Sequence, residues 1–113
     1  MAINYKNQGY DLTTTNLTTV LNINTSSVAI IKEISVANDD NSAHKVDYFF
    51  YDASTTTSYK FYHTNVPADS HDNAVHNALV LEEGDYLQFQ SDNADKISGQ
   101  ISYALLTRTG ENG

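Results

Sequence analysis

Apolar residues in this chain recur at every second position, and that period limits the folds open to it more than any other feature. Successive side chains of a strand point to opposite faces, so a two-residue period marks a half-buried strand. A surface helix instead needs apolar residues three and four apart. Ile97, Gly99, Ile101, Tyr103 and Leu105 share one parity, as do Val46, Tyr48 and Phe50, and as do Leu87 and Phe89. The chain is rich in Thr, Ser, Asn, Tyr, Val and Ile, which favour strands and turns. An all-β chain is expected.

The strands are expected over residues 17–23, 28–38, 44–52, 59–63, 78–81, 86–91 and from Ile97 to Leu105. In the first, Thr19, Leu21 and Ile23 lie on one face; in the second, Ile30, Ile34 and Val36 do. Lys32 interrupts that second face, which calls for a bulge beside it or a snorkelling stem at the sheet edge. Residues 44–52 carry aromatics on both parities, so this strand is expected to be central or to lie under a neighbouring subunit, and to form a hairpin with residues 59–63. Turn residues fill 24–27, 39–42, 82–85 and 92–95, and Pro67 ends a strand because it cannot donate to a ladder. Residues 70–77 are weakly patterned, and residues 107–113 read as a frayed tail. These seven segments point to about eight strands in all, at spacings of roughly 8 to 12 residues, the pattern of a single antiparallel β-sandwich or jelly roll.

At 113 residues the whole chain, 1–113, is expected to be one domain. The formal net charge of -8 repels phosphate backbones, so no nucleic-acid partner is expected. No stretch approaches the apolar length that spans a membrane, and the start turns polar at once, so a soluble protein without a signal peptide is expected. Cysteine is absent, which removes disulfides and thiolate metal sites and tilts towards folding inside a cell.

Catalytic and metal chemistry find little footing. His44, His63, His71 and His76 include no HxH or HxxxH pair, so neither a zinc site nor the metal site of a cupin is expected. The runs 39–41 and 92–95 lack calcium-loop spacing and read as turns. Glu82, Glu83 and Asp85 flank Gly84 as an exposed turn rather than a catalytic carboxylate pair. No nucleophile elbow or phosphate loop occurs. No enzyme activity and no cofactor are expected.

Eight tyrosines and four phenylalanines are the more informative content, concentrated in Tyr48, Phe49, Phe50 and Tyr51 and in Tyr59, Phe61 and Tyr62. Tyrosine suits protein interfaces and sugar platforms, because it joins apolar area to a polar tip. Such a cluster also suits a thick sandwich core.

Three stretches carry a family resemblance: Tyr5-Lys6-Asn7 followed by Asp11-Leu12-Thr13-Thr14-Thr15; Ala29-Ile30-Ile31-Lys32-Glu33-Ile34-Ser35-Val36-Ala37-Asn38; and Val66-Pro67-Ala68-Asp69-Ser70 with Leu79-Val80-Leu81-Glu82-Glu83-Gly84-Asp85-Tyr86-Leu87. In this order they resemble small β-sandwich structural proteins of tailed bacteriophages. The resemblance implies a virion component assembled in the host cytoplasm, and it brings no catalytic residues. The expected function is a capsid decoration or cement protein docking on the major capsid protein or another virion protein, as a homo-oligomer, with a trimer open by analogy. The alternative is a receptor- or glycan-binding module, or another neck or tail-fibre accessory. The expected contact residues are Ile3, Tyr5, Tyr10, Tyr48, Phe49, Phe50, Tyr51, Tyr59 and Tyr62, with residues 1–12 as an N-terminal arm that pairs with an adjacent subunit.

Overall fold

The computed structural model describes residues 2–75 and 78–107. Nine strands make up the described chain: β1 (Ala2–Leu12), β2 (Thr18–Asn22), β3 (Ser27–Asn38), β4 (His44–Asp52), β5 (Thr57–Val66), β6 (His71–Asn73), β7 (Leu79–Leu81), β8 (Tyr86–Ser91) and β9 (Ile97–Thr107). They form two antiparallel sheets packed face to face, as the two-residue period requires. One sheet runs β1-β9-β3-β6, with β7 also paired to β3; the other runs β2-β8-β4-β5. No described helix is long and apolar enough to cross a membrane.

Each sheet contributes alternate residues to one core. Leu12, Ile31, Ile34, Val36, Ile97 and Ile101 come from the first sheet, and Val46, Tyr48, Leu87 and Phe89 from the second, all fully buried. Fully burying a side chain of this size contributes roughly 1.5–3 kcal/mol, so this layer is a large part of what drives folding. Phe89 anchors the centre, edge-on to Tyr10 at 5.1 Å and to Tyr48 at 4.8 Å between ring centroids.

Bulges decide which residues reach that core. The register of β3 against β9 shifts between Ile31 and Glu33, so a bulge does lie at Lys32. It exchanges the faces: Ala29 and Ile31 point inward before it, Ile34 and Val36 after it, and Ile30 turns out. A second shift, between Thr19 and Leu21 in β2, leaves Thr19 exposed instead of sharing the inner face with Leu21 and Ile23. β4 is central, flanked by β8 and β5, and its hairpin with β5 shifts register at Tyr48 and Phe49.

Two expectations about the ends are revised. In the isolated chain Ala2–Leu12 is not a free arm, because it pairs with β9 over its whole length, from Ala2 opposite Thr107 to Leu12 opposite Ile97. Thr107, placed in the tail by the sequence pattern, is the last residue of β9; residues 108–113 lie outside the described residues.

Candidate interaction surface

Apart from Tyr5, the aromatic residues divide between the interior and the second sheet. Tyr10 and Tyr48, both expected at an interface, are instead buried in the core. Tyr10 donates its hydroxyl hydrogen to the Ser35 carbonyl at 2.6 Å, and the Tyr48 hydroxyl shares a hydrogen bond with the Thr64 hydroxyl at 3.1 Å. Burial pushes both hydroxyls well above the ordinary tyrosine pKa. Phe50, Phe61 and Tyr62 are half-buried and pack against the same core, and Tyr59 stacks on Phe50 at 5.5 Å. The bulge in β5 explains why both parities there turn inward: Tyr62 is opposite Tyr48 while Lys60 is opposite Phe49, leaving Phe61 as the extra residue. Phe49 and Tyr51 stay on the outer face, where Tyr51 stacks on Tyr86 at 4.5 Å and Lys60 lies 5.7 Å from the Phe49 ring centre.

The first sheet's outer face holds a surface that the sequence pattern does not reveal. Five large apolar residues are exposed among those described, and three of them, Ile3 (56%), Tyr5 (84%) and Val80 (53%), converge there. The register sets Ile3 beside Leu106, and Leu106 beside Val28. The next outward row is Tyr5, Ala104, Ile30 and Val80, running across β1, β9, β3 and β7. Ala104 is buried at 6% yet lies outside the core cluster, because its neighbours on the outer face cover it. The following row, Asn7, Ser102 and Glu33, is polar and bounds the stripe. None of the seven stripe residues is charged, in a chain of net charge -8.

The remaining titratable groups act mainly on the structure of the loops. One carboxylate oxygen each from Asp52, Glu82 and Asp85 falls within 4.8 Å of the others, the ligand spacing of a metal site. Both oxygens of the buried Asp85 already accept backbone N–H bonds, from Ala53 at 2.9 Å and Glu82 at 2.8 Å. Asp52 accepts bonds from the Ser54 hydroxyl and N–H, and these hold its carboxyl below the ordinary range. This is turn chemistry. His44 lies between Asp40, 2.7 Å from Nε2, and Asp92, 3.0 Å from Nδ1. His63 meets Asp47 on the outer face of the second sheet, His71 pairs with β3 through β6, and His76 lies outside the described residues.

No protein-family model matches the chain, and no curated protein does either. Solved structures do resemble it. The chain is similar to one from the acidic stable capsid of Helicobacter pylori bacteriophage KHP30, with a TM-score of 0.57 over 93% of this chain and 87% of that one, at 11% identity. It is also similar to a chain of the Bacillus endospore appendages, a family of disulfide-linked pili, with a TM-score of 0.52 over 91% and 85%, at 13% identity. A third likeness is to infectious bursal disease virus strain Gx, at TM-score 0.52 and 10% identity, covering 96% of this chain but 33% of that one. At these identities the likeness is one of fold: the two-sheet sandwich is shared with chains of virus particles and of a surface appendage.

Proposed function

We propose that this chain is a non-enzymatic structural protein of a bacteriophage virion, a decoration protein that docks on the shell of the major capsid protein. The observation that carries this reading is the uncharged stripe across β1, β9, β3 and β7. A stripe with three large exposed side chains on an otherwise acidic domain is what a docking face looks like. The fold shared with a phage capsid chain supports the virion setting. The test is co-sedimentation of purified chain with particles lacking it. Val80→Asp and Ile30→Asp are expected to lower occupancy at least tenfold; unchanged occupancy would sink the reading.

A second reading, a glycan- or receptor-binding module, has one observation of its own. The outer face of the second sheet forms a polar hollow lined by Lys45, Asp47, His63, Gln90 and Asp92, on the face of β4 that also carries Phe49 and Tyr51. Specific retention on a glycan array, lost in Asp47→Ala and Gln90→Ala, would favour this reading over shell decoration.

A further inference from the structure

Among the described residues, the outer edge of β1 is the long sheet edge without a bulge or a proline. Edge strands invite pairing with other chains, and proteins commonly blunt them with bulges, proline, charge or short length. The other described flanking strands are blunted: β2 has five residues and a bulge, β6 and β7 have three residues each, and β5 carries a bulge and ends before Pro67. By contrast, β1 runs for eleven residues in unbroken register with β9, without proline. From Ala2 to Gly9 it is exposed on both faces.

We propose that a second copy of this chain adds its β1 antiparallel to that edge, continuing the sheet across a two-fold axis. An antiparallel edge is self-complementary, because each strand offers the same alternating N–H and C=O groups to its copy. Charge favours the same site. A second copy also carries -8 and is repelled over most of the surface, whereas Ala2, Ile3, Asn4 and Tyr5 carry no charge and Lys6 beside them is positive. A two-fold axis normal to the sheet pairs residues of equal parity and keeps each face continuous. The register that sets Ile3 opposite Tyr5 of the second copy joins the two apolar stripes into one and places Asn4 on the axis. Five paired residues give a ladder of roughly 17 Å, which makes a small, concentration-dependent dimer. This pairing does not depend on the virion reading, since it needs no particle.

The chain has no cysteine, so single replacements report the register cleanly. Sedimentation velocity of the full chain over rising concentration is expected to show monomer passing to dimer. Ile3→Lys with Tyr5→Lys should hold it monomeric with an unchanged circular dichroism spectrum, both side chains being exposed. Under mild oxidation Asn4→Cys should form a covalent dimer and Gln8→Cys should not. A chain that stays monomeric throughout, a trimer, or cross-linking through Gln8→Cys in place of Asn4→Cys would each overturn the proposal. Val80→Asp, two strands away from β9 and far from the edge, should spare the dimer while reducing particle binding, which separates the failure of one idea from the failure of the other.

Discussion

The Tyr10 hydroxyl reaches the Ser35 carbonyl, 2.6 Å away, by passing over Gly99, the residue that sits between Tyr10 and Val36 in the ladder. One hydrogen bond thereby crosses three strands on the inner side of the first sheet. It needs a residue without a side chain beneath it. A methyl group placed on Gly99 would stand 1.9 Å from the Ser35 oxygen and 2.8 Å from the Tyr10 hydroxyl oxygen, both impossible contacts. Gly99→Ala is therefore expected to destabilise the fold by about 3 kcal/mol, the range of a severe overpacking change. Tyr10→Phe keeps the ring against Phe89 and loses only the bond, at a cost of about 1 kcal/mol. Urea denaturation of the two variants checks both the order and the gap. Equal losses would show that the hydrogen bond, not the space above Gly99, is what matters.

Phe89 is the core's centre, and its removal should be the costliest single truncation. Two edge-on aromatic contacts, with Tyr10 and Tyr48, meet on its ring. Phe89→Ala should cost about 3–5 kcal/mol, a large share of the roughly 5–15 kcal/mol a domain has in total. Phe61→Ala, at the half-buried margin of the same cluster, should cost less than half as much. The measurement is the denaturation midpoint of each variant at constant slope.

Much of this fold is legible in the sequence, and each miss has a physical cause. The two-residue period gave the strands, and Lys32 on an apolar face gave a bulge that exists. What alternation cannot give is the exchange of faces after a bulge. For that reason Ile30 and Thr19 point out where parity put them in, and Phe61 and Tyr62 both turn inward. Tyr10 and Tyr48 were expected outside because aromatic surplus looks the same whether it fills a core or covers a surface. β1 resembles a free arm because its inner face carries Asn4, Lys6 and Gln8 and the strand is exposed from Ala2 to Gly9. The apolar stripe draws on four strands, so only the register brings Ile3, Leu106, Val28 and Val80 together.

Asp85 looks from the sequence like one of several acidic turn residues, yet it is buried and ties three loops. Its carboxylate accepts from Ala53 and Glu82, and its carbonyl accepts from Ile23 at 2.9 Å. Asp85→Ala leaves two backbone N–H groups without their partner and is expected to cost about 2 kcal/mol. Glu82→Ala, an exposed position in the same turn, should stay within about 0.5 kcal/mol. Amide hydrogen exchange at Ala53 and Glu82 is the direct check: both should quicken in Asp85→Ala and stay slow in Glu82→Ala.

His44 makes the fold's stability depend on pH near neutrality. The bond to Asp40, helped by the charge of Asp92, raises its pKa above the ordinary histidine value, and partial burial opposes this. A group whose folded pKa is raised contributes its full stabilisation below the unfolded value, about 6.5, and loses it as pH rises through the folded value. The melting temperature is therefore expected to fall as pH rises from about 6.5, as the imidazolium between the two carboxylates loses its proton. The same bond holds the Asp40 carboxyl below its ordinary range, so that contribution is present above the unfolded carboxylate value and lost as pH falls through the folded one. His44→Gln keeps a polar side chain between the 39–43 and 92–96 loops but cannot take up a proton. Its melting temperature should be lower than the parent's at pH 6 and should converge towards it above pH 8, conditions chosen to bracket the titration. A parent protein whose melting temperature rises over that interval, or a variant that keeps the parent's slope, would assign the dependence to another group.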